Sequence, residues 1–338
     1  NYSILSGAVN LFKCFLPQAW MFTGKTGFSS FLHPEGVFDD PKGTLLREEI
    51  YKRLRFHFQF QNELLLFPEV AHRATFSINV YSNDETIGFD TIANLFVPST
   101  IDECYSGEGT TLVGFKDDKD NWSVQGHSDR IIHVGSRELK LFSKLFDDGA
   151  NWKSAKLPVL HAKQLVGVLS KLANAGQTIA SLGTDIFSTG MWPETKAQED
   201  GIIERNVHFA TEPIHLIYSG PHIGVGNPLF KTSRRICTLK SDFDSIDLTA
   251  VEDSYLQRCN YEIVPTITEY ESMEQKTGWV IRHTQGYRIL MRRMLNQSGE
   301  RTLIPAIIPP HTGHIHTMTE FALRDEGIVP LLEGMLSS

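Results

Sequence analysis

The apolar positions of the chain change period several times between Gly24 and Tyr81, and each change marks an element. Gly24-Lys25-Thr26-Gly27 has the composition of a turn. It feeds a run, Phe28-Ser29-Ser30-Phe31-Leu32, that stops at His33-Pro34-Glu35-Gly36; its near-continuous apolar character predicts a strand buried on both faces. From Thr44 to about Arg55 the period becomes helical, with Leu45, Leu46, Ile50 and Leu54 inward and Arg47, Lys52, Arg53 and Arg55 outward. Phe56-His57-Phe58-Gln59-Phe60 alternates as a strand does. An apolar corner, Leu64-Leu65-Leu66-Phe67-Pro68, leads to a second alternating stretch, Ala74 to Tyr81. Strand, helix, strand, corner, strand is the plan of one half of an α/β sheet that ends in an antiparallel hairpin.

The flanks are less regular. Residues 4–22 predict a helix with Leu5, Val9, Phe12, Leu16 and Ala19 near one face and Pro17 as a kink or stop. Ile92 to Val97 predicts a short strand or helix, and Lys116 to Asn121 a polar loop. Helices are expected at 136–147 and 160–174, the second with Leu165, Val168, Leu169 and Leu172 on one face. A domain boundary is expected near residues 150–180. Beyond it the pattern predicts short strands at Ile214–Ser219, Arg235–Leu239 and Leu303–Ile308, with helices near Asp247–Leu256 and Gly286–Leu295.

Composition adds limits. A chain of 338 residues has room for two domains, and no long uncharged apolar run predicts a membrane span or a leader peptide. Cys14, Cys104, Cys237 and Cys259 are far apart, which predicts reduced thiols and a cytoplasmic setting. The start at Asn1 and the end just after an apolar segment are read as a piece of a longer protein. The net charge of −8 argues on average against a nucleic-acid partner, but the charge is uneven. From Asp242 to Glu274 nearly every charge is acidic, with only Arg258 opposing. Lys231, Arg234, Arg235 and Lys240 precede them; Lys276, Arg282, Arg288, Arg292, Arg293 and Arg301 follow. Those flanks could face a phosphate backbone while the acidic stretch points away.

Few constellations carry chemistry. Asn227-Pro228-Leu229-Phe230 could hold an amino group on Asn227 and a base on Phe230, or be a proline-stopped turn. His311, His314 and His316, with Glu320 a turn on, have a spacing that can ligate metal, but they fall in a Pro/Gly loop and no metal is expected. Arg301 could fork onto a phosphate or a guanine edge, or pair with Glu300. Arg288 and Arg292 would share one face of the helix expected there. Glu138-Leu139-Lys140 matches a nuclease triplet that is common by chance, and no phosphate-binding loop, zinc helix or calcium loop is present.

The order of these stretches resembles the C-terminal part of DNA adenine-N6 methyltransferases of the restriction–modification or phage-defence kind. Asn10 to Ala19 looks like the helix after their catalytic loop, Thr26 to Pro34 like the next strand, and Leu66 to Val70 with Ala74 to Val80 like their terminal hairpin. Ser219 to Pro228 with Lys231-Thr232, and Gly299 to Pro310, look like their target-recognition region. The resemblance implies an incomplete Rossmann-like sheet in residues 1–90, a connecting α/β region in 91–180, and a mixed α+β target-recognition domain in 181–338. It implies that Phe67 backs a flipped-out adenine. It also implies that Lys231, Arg234, Arg235, Arg282, Arg288, Arg292 and Arg301 meet double-stranded DNA. The glycine-rich loop for S-adenosylmethionine and the Asn/Asp-Pro-Pro-Tyr/Phe loop that such enzymes need do not precede residue 24. No catalytic residue and no cofactor is therefore expected on this chain alone. Both would come from a missing N-terminal half or a partner subunit. The alternative is that residues 82–338 form a protein-interaction module of a defence complex without DNA contact.

Overall fold

The computed structural model describes residues 3–338 except 6–9, 108–110, 113, 118, 148, 150, 177, 240 and 295–302. The chain forms two compact units, Asn1–Gly176 and Gln177–Ser338.

The first unit runs α1 (Leu11–Phe22), β1 (Phe28–Pro34), α2 (Thr44–Arg53), β2 (Leu54–Gln61), β3 (Thr75–Ser82), β4 (Phe89–Leu95), α3 (Ser99–Ser106), β5 (Ile132–Val134), α4 (Ser136–Phe146) and α5 (Gln164–Asn174). Its strands make one mixed sheet in the order β1-β3-β2-β4-β5. β3 lies antiparallel between β1 and β2, so those two run parallel, joined by a crossover through α2. β4 pairs parallel with β2, and β5 closes the far side antiparallel. β4 and β5 thus extend the same sheet that the 24–81 pattern predicts.

The two faces of this sheet differ. On one, Leu16, Trp20, Leu46, Ile50, Tyr51, Leu139 and Phe142 from α1, α2 and α4 make the main core. The strand residues beneath them include a sealed polar set. His33 Nε2 lies 3.0 Å from both the Tyr81 hydroxyl and Asn79 Nδ2, and His57 bridges Thr91 Oγ1 at 2.8 Å and Glu35 at 3.2 Å. On the other face the register aligns Leu32, Ile78 and Phe58, and next to them Ser30, Val80 and Phe56. α3 packs there, through Cys104 and Ile101 against Phe60, Phe76, Ile92 and Leu95, with Ile131 and the Phe67 ring at the margin. The β1 end stays open, with Phe28 67% and Leu32 53% exposed. This corrects the expectation of a strand buried on both faces: β1 is an edge strand, and nothing covers its even-numbered side chains among the described residues.

Three further expectations change here. α1 continues through Pro17 rather than breaking, and Val9 lies outside the described residues. Arg47, expected outward, is buried; its guanidinium donates to the carbonyls of Ser154 (2.7 Å), Asp40 (2.9 Å) and Val37 (3.3 Å), while Leu45 faces solvent. α5 leans on the core through Val166 and Leu169, leaving Leu165, Val168 and Leu172 exposed.

The second unit runs β6 (Ile186–Thr189), α6 (Glu194–Glu199), β7 (Ile203–Glu204), β8 (His208–Phe209), β9 (Ile217–Tyr218), β10 (Lys231–Ser233), β11 (Phe243–Ser245), β12 (Arg258–Cys259), β13 (Glu262–Ile263), α7 (Ile267–Ser272), β14 (Arg288–Arg292), β15 (Pro305–Ile308), β16 (Gly313–His314), β17 (Met318–Leu323) and α8 (Val329–Ser337). An antiparallel sheet, β15-β14-β17-β6, is its frame, and four two-stranded ribbons surround it. Residues 286–295, expected as a helix, instead hold the inner strand β14. There the two-residue period puts Leu290 in one core and Ile289 with Met291 in another. The helix expected at 247–256 is a set of turns, its first held by Asp247 accepting from the Thr249 backbone and hydroxyl. The strand expected at 235–239 is the tip of the β10–β11 hairpin.

A buried ionic quartet ties this frame together. Glu320 on β17 accepts from Arg288 Nη1 at 2.8 Å, with His314 Nε2 3.2 Å and His283 Nε2 3.1 Å from its oxygens. Arg288 also donates to Thr312 O and Oγ1. Burial opposes ionisation of Glu320, but the Arg288 charge and the two imidazoles hold its carboxyl well below the ordinary range.

Candidate nucleic-acid interface

The turn Gly224–Asn227 positions the site's central aromatic. Asn227 Oδ1 accepts from the Leu229 amide at 2.9 Å, and the Phe230 ring then folds back onto Gly224. A Cβ at Gly224 would sit 2.9 Å from that ring, so only glycine leaves room. This gives Asn227-Pro228-Leu229-Phe230 a turn-forming role, with the Asn227 carboxamide oxygen committed to its own backbone.

Phe230 lies in a cleft of about 550 Å³ lined also by Arg205, Lys231, Phe243, Tyr261 and Arg292. Lys231 Nζ is 5.3 Å and Arg292 Cζ 5.8 Å from the Phe230 centroid, and Arg292 donates to the Ile223 carbonyl. Arg205 stands over Tyr261 at 5.8 Å. The Tyr261 hydroxyl donates to Glu194 at 2.6 Å, and burial together with that carboxylate raises its pKa. The cleft therefore gathers three guanidinium or ammonium groups against one carboxylate, each cation steadied by an aromatic ring. Beneath it lies His222, wholly buried. Its Nδ1 takes the Ser219 amide at 3.0 Å, its Nε2 is 3.3 Å from Ser233 Oγ, and burial lowers its pKa to about 4. Such an arrangement can hold a phosphodiester and pack an apolar ring; the cleft-lining Ser219 Oγ also lies 3.2 Å from His222 Nδ1, a nitrogen already taken by the Ser219 amide.

The structure sorts the residues expected to meet DNA. Lys231 and Arg292 share the cleft. Arg234 and Arg235 are exposed on the β10–β11 hairpin, Arg234 paired with Asp244 at 2.8 Å. Arg282 lines a different cleft and is bound to Glu271 at 2.7 Å. Arg288 is a correction: it is fully buried on a strand, its charge taken by Glu320, and it cannot reach a phosphate from there. Arg301 lies outside the described residues. Arg205 and Tyr261 were missed, since nothing in their local sequence sets them apart.

Phe67 is on the surface of the first unit. Its corner is stapled by the buried Asn62, whose Nδ2 donates to Phe67 O and Val70 O at 2.9 Å and whose Oδ1 accepts from the Phe67 amide at 3.0 Å. The ring meets Phe76 edge-on at 5.1 Å and remains 38% exposed beside Leu64, Leu65 and Leu66. The three loop histidines diverge: His314 joins Glu320, His316 Nδ1 accepts from the Glu194 amide at 3.1 Å, and His311 adopts a left-handed backbone. Among the described residues no group of His, Cys, Asp or Glu is arranged to hold a metal ion, and no helix is long and apolar enough to cross a membrane.

The chain matches no protein-family model and no curated protein. Among solved structures it is similar to the type IIG restriction endonuclease BpuSI, at 10% identity and a TM-score of 0.32, over 99% of this chain and 39% of that one. The chain thus spans well under half the length of that enzyme, and a TM-score this low does not establish a common fold.

Proposed function

We propose that this chain is the DNA-gripping and base-supporting part of an S-adenosylmethionine-dependent DNA adenine-N6 methyltransferase of the restriction–modification or phage-defence kind. The observation that carries the reading is the convergence of Arg205, Lys231 and Arg292 on one cleft, against the overall negative charge of the chain. Three cations at close quarters attract a phosphodiester backbone and release its counterions. The strand order of the first unit supports the resemblance in the sequence: two parallel strands with an antiparallel one between them suit the end of a doubly wound sheet. Phe67, exposed on a stapled corner, offers a ring to an unstacked adenine. S-adenosylmethionine and the catalytic loop belong to the missing half or partner subunit, and this chain alone does not methylate DNA.

A titration of the chain with methylatable duplex DNA, with and without the upstream half, tests this. Affinity should fall steeply with salt, and Lys231→Ala or Arg292→Ala should each flatten the log–log slope by about one. If the assembled protein bound no DNA at low salt, the grip would be abandoned. The second reading is a protein-interaction role without DNA contact; the open apolar sheet face around Phe28 and Leu32, outside the 82–338 stretch expected to carry it, is the surface that favours it. It predicts no salt-dependent DNA binding in the same titration.

A further inference from the structure

We propose that a second cleft of the C-terminal unit, built on Trp279 and His283, binds a planar nitrogen heterocycle that carries an N–H donor, such as an amino-substituted nucleobase. The inference does not depend on the proposed function.

The cleft is about 500 Å³, within the range of small-molecule sites, and Val280, Ile281 and Tyr287 give it apolar walls. Its aromatic surface is fixed in advance. The Trp279 indole N–H donates to the Thr184 carbonyl at 2.9 Å, and the Arg324 guanidinium stands 5.8 Å from the ring centroid. A ring held in this way loses little freedom when another ring stacks on it. Val280, by contrast, is fully exposed and Ile281 and Tyr287 about half exposed, so apolar surface flanks the indole with nothing over it among the described residues.

His283 supplies the polar selectivity. It lines the cleft and is almost wholly buried. Phe187 packs on its ring at 4.9 Å, and its Nε2 lies 3.1 Å from Glu320 Oε1, within ion-pair distance though turned off the line of a hydrogen bond. With a proton on Nε2, the nitrogen that faces the carboxylate, Nδ1 of the ring is an acceptor. Nδ1 is buried without a partner. A buried acceptor left unpaired is costly, and a ligand N–H would satisfy it.

Charge at the rim excludes a phosphate as the main determinant. Arg282 is paired with Glu271 at 2.7 Å and Arg324 with Asp185 at 3.0 Å, so neither brings an uncompensated positive charge. Gly286 and Glu326 both line the cleft, and a Cβ at Gly286 would come 2.5 Å from Glu326 Oε1 and displace that carboxylate.

Calorimetric titration of the full chain with adenosine and cytidine, beside 1,3,7-trimethylxanthine, tests the site. The trimethylxanthine is a flat heterocycle with no N–H. The two nucleosides should bind saturably and the trimethylxanthine about tenfold more weakly, the size expected for one lost hydrogen bond at a buried partner. Inorganic phosphate should not compete. Trp279→Ala should abolish binding and Gly286→Ala should weaken it, so the result does not hang on a His283 variant that fails to fold. A duplex with one extrahelical adenine identifies the source: tighter binding than adenosine points to nucleic acid, equal binding to a free nucleoside. The proposal falls if trimethylxanthine binds as well as adenosine, if Trp279→Ala binds unchanged, or if neither nucleoside nor the bulged duplex saturates.

Discussion

The two units bury arginine in opposite ways. In the first, Arg47 and Arg130 are sealed inside cradles of neutral carbonyls: Ser154, Asp40 and Val37 for one, Gln125, Ala93 and Asn94 for the other. In the second, Arg288 is met by a carboxylate, and two imidazoles crowd the same anion. A carbonyl cradle satisfies donors while leaving the charge spread over dipoles, so its loss strands several weak acceptors. A buried carboxylate is a concentrated partner, and removing its cation strands a full charge. The large sheet of the first unit brings broad apolar area to its own stability. The short ribbons of the second lean more on one polar knot. Their surfaces differ in the same sense: the first leaves an apolar sheet face open, while the second gathers cations in a cleft.

The sharpest way to break this contrast is Arg288→Met. It should destabilise the second unit by about 3–5 kcal/mol in a denaturant melt, and adding Glu320→Leu should recover most of the loss. A melt in which the double variant is no better than the single would remove the carboxylate from the account. Acid should act on the second unit through His222 and Glu320, and on the first through the buried His33, whose pKa burial also lowers. His222 is buried neutral with its pKa lowered from 6.5 to about 4, so the unfolded chain binds the extra proton. Its contribution is intact above pH 6.5 and is lost as pH falls towards 4, at up to about 1.4 kcal/mol per pH unit. Glu320, whose pKa is depressed, adds a further loss only below its ordinary value of 4.5. Melts across this range should fall along that curve, and His222→Gln should flatten its upper part. In the first unit, Arg130→Met should cost about 1–3 kcal/mol, less than Arg288→Met, because the stranded groups are carbonyls. The smallest effect on stability belongs to Phe67→Ala. At a partly exposed corner it should shift the melt by about 0.5 kcal/mol, yet under the proposed base-backing role it should reduce binding of an extrahelical base by the assembled protein by about 1–3 kcal/mol.

The same contrast explains what the sequence disclosed. In the first unit the elements of residues 24–81 were legible because each one repeats its own period over a full turn or strand. Which face of each was covered was not legible. Phe28 and Leu32 look like core until β1 proves to be an edge, and Arg47 looks like surface until the carbonyls of Ser154, Val37 and Asp40 close over it. In the second unit even the element type failed at residues 286–295. Two arginines four apart mimic the polar face of a helix, and only a carboxylate on β17, 32 residues away, makes Arg288 an interior residue. The candidate site shows the same split. Lys231 and Arg292 stand out as cations in basic flanks, whereas Arg205 joins them only through the folded cleft.

By itself, then, the sequence determined the local periods: where strands and helices of the first unit run, and where charge concentrates. Tertiary structure decided which apolar residues are covered, which charges are buried with partners, and which cations share a cleft. The reason is one of range. Period and turn chemistry act over a few residues, but burial and ion pairing depend on neighbours brought together from distant parts of the chain.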